Sequence, residues 1–389
     1  MADGFEAKSA RRVVVVGGGG FFGTAIVERL LADGVGPIAV VARHPAPAPA
    51  GVAVLRGDAE RRDDVRRIVR SGDLIVDAVG PYHARSTALL DAALTAGADY
   101  VDLNDCPAFA ERVLAEHGRA VAAGVRIFTS CCSISTLPAT MVNHFGLARP
   151  LRIGIFLAPE THVVARPGAA ATLIATLHTR VRLPRNGRIE ALPGWGVWRR
   201  SSLPAARGAG RYYLFDSADY VHLPRAFPSL RTLGFYVNSG VPLLDRVLLN
   251  LRRLDERGLP FRLLTDPRLQ RAALPLLRRL GRRGGAIGGE IVAEDGRIAR
   301  FTVSASERGY LVPVAPPVLV VKRLLAGEPY PAGVVRHDRH LPSNVLLGYF
   351  EQLGLTVSCN VDQGPRPPQR RTPKKNESAA SATIRPTYR

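Results

Sequence analysis

From residue 12 to residue 129, short runs with no polar position alternate with stretches that carry apolar residues every three or four places. Arg12 to Val16 and Ile38 to Ala42 are almost purely β-branched or small, as expected of parallel strands buried on both faces. Val52 to Leu55, Leu74 to Val79, Tyr100 to Leu103 and Val125 to Thr129 continue the series. Between them, helical spacing runs over Phe21 to Ala32, Asp63 to Val69, Arg85 to Ala96 and Pro107 to Ala123. Asp33-Gly34 and Gly97 stand where helices end, and Pro107 sits in a first turn, where its missing N–H costs nothing. Strands and helices alternating at this spacing predict right-handed βαβ units and a parallel sheet.

After Pro150 the rhythm changes. Leu151 to Leu157 reads as a strand, and Ala171 to Val181 as a helix or long strand. Residues 184–235 read as loop-rich, and 243–283 set leucine against arginine at helical spacing. Glu290 to Val303 reads as a hairpin around Asp295-Gly296. The expected fold class is α/β, a Rossmann-type parallel sheet with a second α+β domain. The expected domains are 11–150 for the dinucleotide and 151–310 for substrate or dimerisation, with 311–360 returning to the first sheet. From Asp362 onward almost no large apolar residue remains, which predicts a disordered basic tail over 362–389. The greasy stretch Leu311 to Val321 holds three prolines and reads as buried core, not as a membrane span.

The chemistry-bearing motif follows the first strand: Gly17-Gly18-Gly19-Gly20-Phe21-Phe22-Gly23. Gly18, Gly20 and Gly23 match G-x-G-x-x-G, and Gly17, Gly20 and Gly23 match the G-x-x-G-x-x-G spacing of short-chain reductases. In either register a glycine makes the tight turn, another admits the pyrophosphate, and the last lets helix and strand pack closely. The pyrophosphate then meets free N–H groups at the positive end of the helix. A strand before, a helix after and a second strand about 20 residues on supply the required context. Short-chain reductases need Tyr-x-x-x-Lys, and no tyrosine here has a lysine four residues later. At the end of the second strand, where an acid would hold the ribose of NAD, stands Arg43. A guanidinium suits the extra phosphate of NADP, so NADP(H) is favoured over NAD(H). Asp58 is a candidate for the adenine amino group or for a helix cap, and Gly80-Pro81-Tyr82 follows the fourth strand at the sheet edge where ligands sit.

These pieces carry a family resemblance. Val13 to Gly23, Gly57-Asp58, Asp77-Ala78-Val79-Gly80-Pro81-Tyr82 and Gly97-Ala98-Asp99-Tyr100-Val101-Asp102-Leu103 together resemble the saccharopine dehydrogenase-like NADP-binding family. The resemblance covers about residues 11–140. It implies a Rossmann domain, an α+β domain inserted before a returning C-terminal part, a nicotinamide cofactor and oxidoreductase activity. It leaves the substrate open, since the family includes amino-acid dehydrogenases and trans-acting enoyl reductases of lipid pathways.

Tyr82 and His83 are the positional candidates to face the nicotinamide, and Cys106, at a helix start, is a third. Asp105 reads as an N-cap, and Cys131-Cys132-Ser133 as core packing near the cleft. His162, His178, His337 and His340 are scattered without ligand spacing, and no metal site is expected. Lys322 reads as solvent-facing. The four cysteines lack metal or CxxC spacing, and the N-terminal residues lack an apolar leader core, so the expected setting is reducing and cytoplasmic.

The net charge of +20 comes almost wholly from arginine spread along the chain, as a high-GC codon bias gives. A solvated surface is the simpler reading, and an anionic membrane surface or carrier protein the sharper one. No nucleic-acid module is present in the sequence. The expected partners are thus a small-molecule or carrier-bound substrate and a second copy of the chain. The main expectation is an NADP-dependent oxidoreductase. Its rivals are a trans-acting enoyl reductase on carrier-bound lipid or polyketide intermediates and a non-catalytic dinucleotide sensor or scaffold.

Overall fold

Four consecutive valines make the centre of the molecule. The computed structural model describes residues 11–45, 47–160, 179–203, 210–257 and 284–363, with positions 173, 176, 177 and 275. Strand β1 (Val13–Val16) is buried along its whole length, with β2 (Ile38–Ala42) on one side and β4 (Leu74–Asp77) on the other. Side chains with no polar atom suit a strand covered on both faces. β3 (Val52–Arg56) pairs beyond β2 and leaves Val54 exposed, while β5 (Asp99–Asp102) and β6 (Arg126–Phe128) extend the other flank. All these pairings are parallel, with helices α1 (Phe21–Ala32), α2 (Arg62–Ile68), α3 (Ala88–Ala96), α4 (Pro107–Ala115) and α5 (His117–Ala122) between the strands. The single helix expected from Pro107 to Ala123 is two, divided at Glu116. α6 (Ser133–His144) follows β6 and carries Pro138 in its interior, which hid it from sequence patterning.

The second sheet begins with β7 (Pro150–Ala158). β8 (Arg180–Arg185) and β9 (Arg188–Pro193) form a separate hairpin. β10 (Trp198–Ser201), β11 (Gly210–Leu214) and β12 (Thr232–Val237) line up beside β7 in that order. The stretch expected to be loop-rich thus carries strands and a helix between its loops. The strands are short, and arginine and proline interrupt the alternation that would have marked them. α7 (Asp219–Ala226) and α8 (Pro242–Glu256) sit among these strands. On α8, Leu248 is buried while Leu243 and Val247 are exposed. β13 (Gly285–Ala293) and β14 (Arg297–Ala305) make the hairpin around Asp295-Gly296, longer at both ends than the sequence suggested.

The chain then crosses back. α9 (Leu311–Leu325) is buried through most of its length, β15 (Gly333–Val334) pairs in parallel with β6, and α10 (Ser343–Gln352) follows. The first sheet therefore reads β15-β6-β5-β4-β1-β2-β3. Lys322 does not face solvent alone: it pairs at 2.8 Å with Asp33 at the end of α1, and the Tyr349 hydroxyl donates to the same carboxylate at 2.7 Å. β16 (Thr356–Gln363) ends the described chain by pairing with β14, so this last strand belongs to the second sheet. The residues after 363 in the expected tail, like His162 and His178, lie outside the described residues.

Three buried histidines join the parts. His222 on α7 stacks on His337 with ring centroids 3.9 Å apart, and His337 lies 4.3 Å from His340. His222 Nε2 is 3.0 Å from Ser130 Oγ, just after β6. Burial holds His222 down to about 3 and His340 to about 4, so the stack is neutral. It binds the first sheet, the second domain and the returning segment at one point.

Candidate active site

The cleft opens where the first sheet presents its carboxyl edge. Gly17 takes φ +82°, and a Cβ there would meet the Val79 side chain at 2.7 Å. A Cβ on Gly23 would fall 2.1 Å from the Gly17 carbonyl oxygen, so only glycine lets α1 approach β1 this closely. A Cβ on Gly18 would meet the Val40 side chain at 2.6 Å, so the first glycine of either register is sterically required. Gly20 caps α1, and its own N–H returns to the Gly17 carbonyl at 2.8 Å. Gly18 packs against Val40, while Gly19 and Gly20 are exposed at the mouth. Phe21 and Phe22 stand beside them, and Phe21 meets Tyr310 edge-on across the cleft at 5.3 Å. These features fit a dinucleotide: a glycine turn, an uncapped helix start and open space where a diphosphate would lie.

Arg43 lies one residue beyond β2, exposed, lining the cleft and without an ion-pair partner among the described residues. Asp58 also lines the cleft, but its Oδ1 accepts the Glu60 N–H at 3.0 Å, so its carboxylate caps its own turn. Gly80 and Pro81 line the neighbouring loop.

That loop is held from beneath. Arg85 donates through both terminal nitrogens to Asp77, each at 3.1 Å, and to the Val79 carbonyl at 2.5 Å. It also binds Glu60, whose other oxygen accepts the Ser86 N–H at 2.9 Å. The Tyr100 hydroxyl donates to Asp77 at 2.9 Å. Arg85 and Asp77 are 4% and 0% exposed at their side chains, so the pair is shielded from water. Neither residue stands out from the sequence alone. The signal was an aspartate ending a buried strand and an arginine eight positions on.

Of the three residues singled out as catalytic, Tyr82 lines the cleft and His83 and Cys106 do not. The Tyr82 hydroxyl points inward: it donates to the Asp77 carbonyl at 2.7 Å and accepts the Leu103 N–H at 3.1 Å. Burial pushes that phenol well above its ordinary range. His83 is exposed and absent from the cleft lining. Cys106 caps α4 outside the lining, and burial raises its thiol, which opposes a thiolate. Asp105, read as a cap, precedes the cap residue and lines the cleft instead.

The cleft encloses about 850 Å³ and runs from the glycine turn to the second domain. Its far wall carries Leu157, Trp195, Phe215, Phe235, Val237 and Ile287. Trp195 is held at φ +61°, stacked on Tyr213 with its indole N–H toward the Asp245 carbonyl at 3.3 Å. Asp105 and Asp216 join this end. Burial raises Asp216 to about 6 against the Ser217 N–H that opposes it, and the charge on Asp105 adds to the rise. Asp105 is raised by burial as well.

Residues 13–128 match the family model described as Saccharopine dehydrogenase NADP binding domain. The first domain is thus similar to the NADP-binding domain of saccharopine dehydrogenase. Over 101 residues, 26% of the chain, it is 34% identical to a probable mitochondrial saccharopine dehydrogenase-like oxidoreductase of Arabidopsis thaliana. The match spans 22% of that relative's length. The whole fold is similar to saccharopine dehydrogenase (L-Glu forming) from Saccharomyces cerevisiae, with TM-score 0.61 over 90% of this chain and 100% of that one, at 12% identity. The saccharopine dehydrogenase-like architecture thus extends through both sheets, and the kind of domain matched favours NADP(H). Among the described residues, no helix is long and apolar enough to cross a membrane.

Proposed function

We propose that this chain is an NADP(H)-dependent oxidoreductase that moves hydride between the nicotinamide and an organic substrate held between the two sheets. The observation that carries the reading is one continuous cleft. It joins a glycine turn, an unpaired arginine at the tip of β2 and the Gly80-Pro81 loop to an apolar wall from a second domain. In this reading the α1 N-terminus and the turn amides hold the diphosphate. Arg43 holds the ribose phosphate through charge-assisted bonds. The Gly80-Pro81 loop, fixed by Arg85, sets the depth of the nicotinamide ring. The bound coenzyme supplies or accepts the hydride, and the chain orients it and excludes water. The printed name of the Arabidopsis relative supports oxidoreductase chemistry.

Fluorescence titration with NADPH and NADH tests the reading. NADPH is expected to bind more tightly in the wild type. Arg43→Asp removes a charge-assisted bond to the phosphate and sets a like charge beside it. It is therefore expected to cost NADPH roughly 10- to 100-fold in affinity while sparing NADH. Equal binding of both coenzymes by the wild type, or no shift in the variant, removes Arg43 from the role; no binding of either removes the reading.

A further inference from the structure

The far end of the cleft is built from two materials. Strands β7, β12 and β13 contribute Leu157, Phe235, Val237 and Ile287, the connection between β9 and β10 contributes Trp195, and Phe215 follows β11. Into this apolar surface come two carboxyl groups from different domains. Asp105 follows β5, and Asp216 follows β11. The segments that carry them are tied together, since the Ala218 N–H donates to the Asp105 carbonyl oxygen at 3.0 Å. The loop after Asp216 is fixed too. Ser217 Oγ donates to Asp219 at 2.9 Å, and the Tyr220 hydroxyl donates to the Phe215 carbonyl at 3.0 Å. Among the described residues the Asp216 carboxyl has one hydrogen-bond partner, the Ser217 N–H at 3.1 Å. Both are half-buried in the cleft wall, and the charge on Asp105 raises Asp216, so the pair resists carrying two charges.

We propose that this end of the cleft takes a largely apolar compound bearing one polarised C=O or C=N bond, and that the Asp105–Asp216 pair holds the proton that follows the hydride onto its heteroatom. This rests on the NADP(H) reading above. In the reducing direction, hydride from the dihydronicotinamide forms a C–H bond at the electrophilic carbon as the C=O or C=N π bond breaks. The electron pair moves to oxygen or nitrogen and takes the proton from the Asp216 carboxyl. The products are NADP⁺, the alcohol or amine, and an Asp216 carboxylate that regains its proton from water. An apolar wall accepts the hydrocarbon body, and a substrate carboxylate placed beside this acid pair would meet like charge without solvent.

The acid form of Asp216 is the one that serves reduction. With Asp216 at about 6, the rate of reduction falls as pH rises through that value. Asp105 faces the group from across the domains, and Cys106 and Tyr220 lie within electrostatic reach of it.

The experiment uses the full chain. NADPH binding is measured first by fluorescence; no binding removes the underlying reading and this proposal with it. With binding established, NADPH oxidation is followed at 340 nm, the usual absorbance of the reduced ring. The substrates are a long-chain methyl ketone, its N-methyl imine, and the same ketone ending in a carboxylate. Turnover of the ketone or the imine is expected, with kcat/KM at least about 10-fold lower for the carboxylate. Asp216→Asn is expected to lower kcat about 100-fold or more, to keep NADPH affinity, and to lose the fall in rate near pH 6. Retained NADPH affinity shows that the variant is folded. A carboxylate substrate used as well as the neutral one, no turnover of any of the three, or an Asp216→Asn enzyme with wild-type rate and pH profile each overturns the proposal.

Discussion

The two ends of the cleft treat a buried carboxylate in opposite ways. Beneath the nucleotide end, Asp77 is fully buried, but it receives both terminal nitrogens of Arg85 and the Tyr100 hydroxyl. Its charge is matched on the spot. At the substrate end, Asp216 has one uncharged partner, the Ser217 N–H, and behind it, outside the cleft lining, the fully buried Asp219 accepts from Ser217 Oγ. Burial pushes them up to about 6 and about 7. One end is a frame in which Arg85 and the Tyr100 hydroxyl hold Asp77 in place. The other keeps acids that can hold a proton near neutral pH, which is useful only where a proton has to move.

The strongest way to break this contrast is to strip Asp77 of its partner. Arg85→Met retains a long apolar stem but leaves a buried carboxylate with no cation, held only by the Tyr100 hydroxyl and the Val79 N–H. Breaking a buried pair from one side costs about 3–5 kcal/mol, of which the uncompensated charge is the main part. The variant is expected to melt far below the wild type in calorimetry. It is also expected to lose NADPH affinity, because Arg85 ties the Gly80-Pro81 loop to Glu60 as well. A melting temperature close to that of the wild type would show that the pair is not the frame.

How much of this was legible before the fold was known follows the same divide. The nucleotide end is local in sequence. A valine strand, a glycine turn, a helix and an arginine at the next strand tip lie within 31 residues, Val13 to Arg43, and each carries its own steric reason. The substrate end is assembled from residues after β5, β9, β11 and β12, on short strands with arginine and proline between them. No period or spacing links Asp105 to Asp216. Position in the sequence made candidates of Tyr82, after the fourth strand, and of Cys106, at a helix start. Only their burial and hydrogen bonds reveal that one is a strut under the loop and the other a helix cap.

A weaker perturbation sharpens the contrast from the other end. Asp219 lies at about 7 in the folded chain and near 3.9 when unfolded. A raised carboxyl means that the folded state binds more protons than the unfolded one between those values. Asp219 therefore subtracts stability as pH rises from about 4 to about 7. Asp219→Asn removes that subtraction. The unfolding free energy of the variant minus that of the wild type, read from denaturant titrations, is expected to increase over this window, with a slope of at most ~1.4 kcal/mol per pH unit. The three stacked histidines slope the opposite way, losing stability as pH falls below about 6.5 because only their unfolded forms take up protons. They are present in both proteins and cancel in the difference. A difference that is flat with pH would mean that Asp219 stays ionised and that the two ends are alike.

The smallest effect belongs to the residue whose chemistry looked most reactive on paper. Cys106 sits at the head of α4, where a helix dipole favours a thiolate. Desolvation opposes that, and the neighbouring charges of Asp105 and Asp216 add to the opposition, so the thiol stays protonated. Its backbone N–H donates to Asn104 Oδ1 at 2.8 Å, a bond that any residue other than proline can make at this position. Cys106→Ser keeps the size and the cap position. It is therefore expected to change NADPH affinity and kcat by less than about 2-fold, as for a cysteine that is only packed. Alkylation with iodoacetamide gives a second reading of the same question. Slow labelling of Cys106 at pH 7, against the exposed Cys359, fits a packed thiol. Rapid labelling with loss of turnover would instead return Cys106 to the reacting end and shift the acid-base chemistry away from the second domain.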